Sequence, residues 1–142
     1  MTRVLFLCTG NSARSQMARA LLDALGGDDY EVDSAGTRPT ETVHPLAVAE
    51  MASRGLDISD ARPRHLDELP DLDYDLVITV CDRAREECPF LPGAKMLHWG
   101  FPDPAAVEGD ETVRRRAFTR TAADIERRLR EFLDNEKDYV TE

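Results

Sequence analysis

Short apolar runs alternate with amphipathic segments along this chain, which predicts strands that alternate with helices. The mainly apolar stretches at residues 2–8 and 75–80 are typical of strands buried on both faces, and residues 30–34 and 95–98 predict two shorter strands. Strands that alternate with helices form parallel sheets. The pattern therefore predicts one α/β domain over residues 1–142, with an open, parallel, four-stranded sheet and helices on both faces.

Three segments carry apolar residues at three- and four-residue steps and predict helices over residues 15–25, 45–54 and 111–133. Glycines follow the first two segments and are typical helix stops. Residues 66–69 predict at most one further turn. In an open parallel sheet of this kind, a ligand binds at the carboxyl ends of the strands, so the loops that follow the strands are where we expect the chemistry.

Composition narrows the range of functions. The chain has 142 residues and a net charge of −10, and this acidity disfavours nucleic-acid binding, which needs a basic face. The first apolar run is too short for a signal peptide, and no run approaches the ~20 residues of a membrane span. We therefore expect a cytoplasmic monomer that binds neither nucleic acid nor a membrane, with a frayed polar tail from about residue 134.

The segment between the first predicted strand and the first predicted helix contains most of the candidate catalytic and binding residues. A strand, a tight loop and a helix start form an oxyanion cradle, because loop N–H groups and the helix N-terminus converge there. That partial charge is expected to lower the pKa of Cys8 well below ~8.5 and make it a thiolate nucleophile. Gly10 is expected to permit the turn, and Arg14 to bind two oxygens of the anion. The candidate oxyanion-binding residues are Thr9, Gly10, Asn11, Ser12, Ala13, Arg14 and Ser15.

Two further features supply groups that a cysteine nucleophile can use. Asp103 lies between two prolines on a stiff loop, where its carboxyl group can protonate a departing oxygen. Cys81 ends the second long apolar run, which in a parallel sheet can lie beside the first strand and hence near Cys8. The residues between Cys81 and Cys88 look helical, which separates their Cα atoms by ~10.5 Å, whereas a disulfide needs about 7 Å or less. These two thiols can therefore pair only if the segment unwinds, and Pro89 marks a natural break.

Roles other than catalysis remain open for these residues. Each cysteine can be a small buried apolar residue. A zinc site from the three cysteines and His98 is disfavoured because the spacing lacks a Cys-x2-Cys pair, so no metal site is predicted. His44, His65 and His98 show no ligand or triad pattern.

Taken together, these residues closely resemble thioredoxin-coupled arsenate reductases, which share the fold of low-molecular-weight protein tyrosine phosphatases. The resemblance runs from Arg3 to about Leu133. It rests on the loop at residues 8–15, on Gln16-Met17-Ala18, on Ser34-Ala35-Gly36, on Cys81 and Cys88, and on the segment at residues 98–105.

The resemblance implies that the protein reduces arsenate to arsenite in arsenic detoxification. In such enzymes the residue matching Cys8 attacks arsenate, which the loop amides and Arg14 hold. Ser15 would stabilise the thiolate, and Asp103 would protonate the leaving oxygen.

The resemblance also implies the fate of the other two thiols. Cys81 would attack Cys8, which releases arsenite, and Cys88 would then attack Cys81. Thioredoxin would reduce the resulting Cys81–Cys88 disulfide and act as electron donor, with no tightly bound cofactor. Some family members bind potassium through residues matching Asn11 and Ser34 and a carboxylate, but this chain has Arg19 at the carboxylate position, which puts a potassium site in doubt.

Two other functions compete with this interpretation. A low-molecular-weight protein tyrosine phosphatase would use the same loop, Arg14 and Asp103, and water would hydrolyse a Cys8 phosphocysteine. Phosphatases usually have Pro where this chain has Gln16, and they do not need the two downstream cysteines. A thiol-based arsenite or metal binding module would need all three sulfurs to meet at one ion.

Overall fold

The computed structural model of the protein describes residues 1–88, 91 and 93–135. Its centre is a parallel four-stranded sheet with the strand order β2-β1-β3-β4. Residues 4–8 of β1 are all buried although successive side chains point to opposite faces, so both faces of the sheet are covered. This confirms the predicted α/β fold class. The strands are β1 (Thr2–Cys8), β2 (Tyr30–Gly36), β3 (Leu76–Thr79) and β4 (Lys95–His98).

The helices follow the strands as the apolar pattern predicts. The long last helix packs on both the first and the second helix. Of the tail expected to fray, residue 134 is still helical, and residues 136–142 lie outside the described residues, as does Pro89. No helix in the described ranges has the length and apolar character to cross a membrane. The helices are α1 (Arg14–Gly26), α2 (Pro45–Ser53), α3 (Asp82–Glu87) and α4 (Glu111–Asp134).

A chain of aromatic rings fixes α4 to the sheet. Trp99 lies between Phe6 of β1, at 6.2 Å between ring centroids, and Phe132 of α4, at 5.8 Å. Tyr30 of β2 meets the same Phe132 ring at 5.9 Å. Burial of an aromatic ring of this kind contributes about 1.5–3 kcal/mol, so packing alone suffices to explain why Trp99 lies here.

The strand register brings four loops to one edge of the sheet. Leu7 of β1 lies opposite Thr79 of β3, and Cys8 lies opposite Gly36 of β2. Because the strands are parallel, their carboxyl ends face the same way. The loops after β1, β2, β3 and β4 therefore meet at this edge, and they carry the predicted candidate residues.

Candidate active site

The loop between β1 and α1 turns at an asparagine rather than at the predicted glycine. Asn11 has a φ of 51°, in the left-handed region that asparagine tolerates better than most residues. Gly10 instead serves a close approach, because a Cβ atom there would lie 3.3 Å from Cγ2 of Thr40. Gly36 at the end of β2 is required more strongly, since its Cβ would lie 2.6 Å from the carbonyl oxygen of Thr9.

Asn11 is fully buried and fixes the loop through four hydrogen bonds. Its N–H donates to Cys8 Sγ at 3.2 Å, and its Nδ2 donates to Ser15 Oγ at 2.8 Å. Its Oδ1 accepts from the N–H of Arg64 at 3.0 Å, and its carbonyl oxygen accepts from the Gln16 amide at 3.1 Å. Gln16 and Arg64 thus support the loop, a role that the local sequence pattern does not indicate because Arg64 is far away along the chain.

Cys8 is 3% exposed, and its sulfur lies 2.8 Å from Ser15 Oγ. Burial is the largest effect on this thiol and raises its pKa, whereas the hydrogen bonds from Ser15 and Asn11 lower the pKa by less. The nearby Cys81 thiol adds to the rise. The prediction of a strongly lowered pKa is therefore wrong, because desolvation of the buried sulfur outweighs the hydrogen bonds that Ser15 and Asn11 offer it.

Arg14 connects the loop to the segment after β4. Its Nη1 donates to the carbonyl oxygen of Phe101 at 2.9 Å, and its Nη2 lies 3.8 Å from Oδ2 of Asp103. Asp103 is held in turn because its Oδ1 accepts from the N–H of Ala105 at 3.0 Å. The structure therefore brings the predicted guanidinium and carboxyl groups to one side of the same cleft.

Cys81 reaches this cleft from β3, as its place in the sequence predicts. Its Sγ lies 3.2 Å from the hydroxyl of Thr9, the residue after Cys8. All three cysteines are in the thiol form. The open cleft is lined by Thr9, Arg14, Cys81, Asp82, Arg83, Gly100, Phe101, Pro102 and Asp103.

The third cysteine lies at the far end of α3. Cys81 is the N-cap of this helix and Cys88 its C-cap, so the predicted helical separation of the two thiols is confirmed. The N–H of Cys88 donates to the carbonyl oxygen of Ala84 at 2.9 Å, and the Ala84 side chain is fully buried. Cys88 is half-buried, and burial raises the pKa of its thiol.

The histidines take capping and hydrogen-bonding positions. His44 Nδ1 accepts from the N–H of Leu46 and caps α2, and its ring packs on Phe118 with 4.7 Å between the ring centroids and a tilt of 37°. His98 bonds Thr79 and Asp82, both at 2.8 Å, at the rim of the cleft. In the part of the chain that the structure describes, no three His, Cys, Asp or Glu side chains are grouped so that they could hold a metal ion.

Arg64 donates hydrogen bonds to oxygens of Asn11 and Ser34, the two residues that the family resemblance links to potassium. The Asn11 Oδ1 already accepts from its N–H, and the carbonyl oxygen of Ser34 accepts from its Nε at 3.1 Å. The same guanidinium pairs with Asp33 at 3.2 Å. A fixed positive charge thus lies against these oxygens, which together with Arg19 disfavours a bound cation.

Comparison with known proteins places the fold and the loop in one family. Residues 3–140 match the model of the family described as low molecular weight phosphotyrosine protein phosphatase. The chain is also 40% identical over 135 residues to a protein of Bacillus subtilis named arsenate reductase, a match that covers 94% of this chain and 96% of that one.

Solved structures give the same picture. A thioredoxin-dependent arsenate reductase of Corynebacterium glutamicum is 34% identical with a TM-score of 0.72, and the match covers 94% of this chain but 61% of that longer chain. An arsenate reductase of Archaeoglobus fulgidus is 34% identical with a TM-score of 0.74, and there the match covers 93% of this chain and 99% of that one.

Proposed function

The chain belongs to the low molecular weight phosphotyrosine protein phosphatase family, and we propose that within this family it reduces arsenate to arsenite by passing two electrons along three thiols. One observation carries the proposal: the Cys81 sulfur lies 3.2 Å from the Thr9 hydroxyl, next to the nucleophile Cys8. Hydrolysis of a phosphate ester needs no second thiol at that position. Relatives about 40% identical that are named arsenate reductases support the same function.

In the first step Cys8 attacks the arsenic atom of an arsenate that Arg14 and the loop hold. A sulfur–arsenic bond forms, and one arsenate oxygen leaves as water with a proton from Asp103. The proton of the thiol goes to solvent. Because burial raises the pKa of Cys8, the hydrogen bonds from Ser15 and Asn11 are needed to stabilise the sulfur as it loses that proton.

In the second step Cys81 attacks the Cys8 sulfur. The electron pair of the sulfur–arsenic bond passes to arsenic, which leaves as arsenite, and a Cys8–Cys81 disulfide forms. Cys88 then attacks the Cys81 sulfur, which returns Cys8 to a thiol and leaves a Cys81–Cys88 disulfide. This last exchange requires α3 to unwind, since both cysteines cap its ends.

Thioredoxin is the proposed electron donor. A dithiol protein can reduce the Cys81–Cys88 disulfide by thiol–disulfide exchange, and the related enzyme of Corynebacterium glutamicum is described as thioredoxin-dependent. Such a relay requires a compartment that keeps thiols reduced, so we place the protein in the cytoplasm.

The test compares arsenate consumption by the wild type and by the Cys81→Ser and Cys88→Ser variants, with NADPH, thioredoxin reductase and thioredoxin. The wild type is expected to turn over continuously, Cys81→Ser to stop at the arsenic adduct, and Cys88→Ser to stop as a Cys8–Cys81 disulfide that mass spectrometry detects. If both variants remain fully active with thioredoxin as sole reductant, the relay is wrong.

Phosphate ester hydrolysis is the second candidate function, because the placement of Cys8, Arg14 and Asp103 serves it equally well. The same variants provide a matched control, since hydrolysis of p-nitrophenyl phosphate needs neither Cys81 nor Cys88. We expect weak hydrolysis that both serine variants retain. Hydrolysis much faster than arsenate reduction in the wild type would make the protein a phosphatase.

A further inference from the structure

The last turn of α3 is tied to the loop after β2. The hydroxyl of Thr37 donates to Oε1 of Glu87 at 2.7 Å, and the guanidinium of Arg38 lies 3.0 Å from Oε2. Glu87 is the residue before Cys88, and only about a quarter of its side chain is exposed. The Thr37 hydroxyl holds the pKa of this carboxyl below its usual range, so both contacts act on a charged carboxylate.

The same two residues also hold the oxyanion loop. The N–H of Thr37 donates to the carbonyl oxygen of Cys8 at 3.2 Å, and the N–H of Arg38 donates to that of Thr9 at 2.8 Å. An uninterrupted path of hydrogen bonds therefore runs from the backbone of the nucleophile to the residue before the last thiol. Neither Thr37 nor Glu87 contributes a side chain to the proposed chemistry.

We propose that Glu87 is a positioning residue: its contacts with Thr37 and Arg38 form a latch that holds α3 helical and keeps Cys88 apart from Cys81 in the thiol form. The inference rests on the proposed thiol relay. It adds to that relay the group that sets how readily the last disulfide forms.

Geometry explains why the latch must break when the disulfide forms. Seven residues of helix separate the two Cα atoms by ~10.5 Å, and a disulfide needs about 7 Å or less. Cys81 is held near the sheet because the N–H of Val80 donates to the carbonyl oxygen of Leu7 at 2.9 Å. Cys88 must therefore move by several ångströms, and Glu87, bonded to it in the chain, cannot keep a hydrogen bond of 2.7 Å to Thr37.

The direction of the effect follows from this difference between the two redox forms. A contact present only in the dithiol form stabilises that form and makes the disulfide easier to reduce. Loss of the latch therefore favours the Cys81–Cys88 disulfide and lowers the reduction potential of the pair. A residue that only stabilised the fold as a whole would act on both forms and leave the potential unchanged.

The test measures this potential in glutathione redox buffers, in full-length protein that carries Cys8→Ser so that only Cys81 and Cys88 can pair. Glu87→Ala is expected to raise the equilibrium constant for disulfide formation about tenfold, which is ~30 mV toward a more negative potential. The matched control is Glu86→Ala, which removes the same charge and side chain from the same helix. Glu86 is exposed and, within the described residues, makes no side-chain hydrogen bond or ion pair.

A second variant guards against an effect of helix propensity alone. Thr37→Val lies outside α3 and removes only the hydroxyl, and we expect it to shift the potential in the same direction by a smaller amount. In the double variant we expect the shift in potential to be smaller than the sum of the two single shifts, because both substitutions break the same contact.

The outcomes separate the latch from the relay. Equal potentials for Glu87→Ala, Glu86→Ala and the parent protein would overturn the latch and leave the relay standing. If Cys81 and Cys88 form no disulfide in the parent at any glutathione ratio, the relay itself fails, and the latch fails with it.

Discussion

Two arginines lie at opposite ends of the same strand of the sheet and serve different purposes. Arg3, near the start of β1, donates to Glu31 at 2.9 Å and to Asp71 at 2.8 Å, and its guanidinium lies 4.6 Å from the ring centroid of Tyr74. Arg14, just beyond the end of β1, makes one hydrogen bond among the described residues, to the carbonyl oxygen of Phe101, and a longer contact of 3.8 Å with a carboxylate.

The difference lies in how many guanidinium donors the protein already uses. A guanidinium has five N–H donors in a fixed fork. Most donors of Arg3 already bind acceptors within the protein, so Arg3 has a structural role: it joins β1 to β2 and to the loop before β3. Arg14 keeps most of its donors for an incoming oxyanion. The two side chains are chemically the same. The number of donors that already have partners distinguishes the ligand-binding arginine from the structural one.

The largest expected effect is that of Arg14→Ala. The variant loses the forked donor and the positive charge that offset a net charge of −10, and we expect arsenate kcat/KM to fall by about 10³, the loss of a charged bidentate contact. Isothermal titration with sulfate measures the same loss as binding. The control is Arg3→Met, for which sulfate affinity is expected to stay unchanged. Retained affinity in Arg14→Ala would mean that the donors counted above do not decide function.

The carboxylates beside the two arginines extend the comparison. We expect Asp103→Asn to slow the first chemical step by about 10², as for the loss of a general acid, and to leave sulfate affinity nearly intact. Single-turnover kinetics with arsenate measure this step. Asp71→Asn, the partner of Arg3, should leave the step unchanged. Unchanged kinetics in Asp103→Asn would remove this carboxyl group from the mechanism.

The local signals in the sequence predicted the sheet and the positions of the candidate site. The bounds of β1 and β4 match the predicted residues 2–8 and 95–98. The Cys81 sulfur lies against Thr9, the residue after Cys8, because alternating strands and helices predict parallel neighbouring strands. Arg14 and Asp103 meet in one cleft for the same reason: each follows a strand at the same edge of the sheet.

What the sequence could not predict depends on long-range burial and contacts. The pKa of Cys8 was predicted in the wrong direction because a local pattern shows the helix N-terminus but not the desolvation of the sulfur. The turn was assigned to Gly10 although Asn11 takes the left-handed conformation. The contact of Arg64 with Asn11 and that of Glu87 with Thr37 join residues far apart in the chain, and no periodicity indicates them.

The raised pKa of Cys8 is a further feature of the functional end of β1 that can be tested. Because the thiolate is the reactive form and burial raises the pKa of Cys8, we expect its alkylation rate to keep rising with pH above the ~8.5 at which an ordinary thiol titrates. Ser15→Ala removes a contact that lowers this pKa, so it should slow alkylation several-fold further at pH 8. Iodoacetamide kinetics in a Cys81→Ser, Cys88→Ser background report on Cys8 alone, and Ser12→Ala is the matched control. A rate that is already maximal at pH 7 would contradict the burial effect.

The structural role of Arg3 predicts that its substitution lowers the stability of the protein but leaves its activity unchanged. Arg3→Met keeps the length of the side chain but removes its ion pairs and its cation–π contact with Tyr74, and we expect the free energy of unfolding to fall by about 1 kcal/mol. Urea denaturation followed by circular dichroism measures the change. Activity per folded molecule should equal that of the wild type, whereas a fall in arsenate turnover at full folding would assign Arg3 a functional role.

The smallest effect concerns the pH dependence of that stability. The hydrogen bond from Arg3 lowers the pKa of Asp71, so the stabilisation is fully present above the unfolded pKa of ~3.9 and is lost as pH falls through the lower folded value. The difference in unfolding free energy between the wild type and Arg3→Met should therefore be constant from pH 7 to about pH 5 and shrink at more acidic pH. Urea titrations at a series of pH values measure it. A difference that grows on acidification would contradict the assignment, because a lowered carboxyl pKa can only lose stabilisation when the group is protonated.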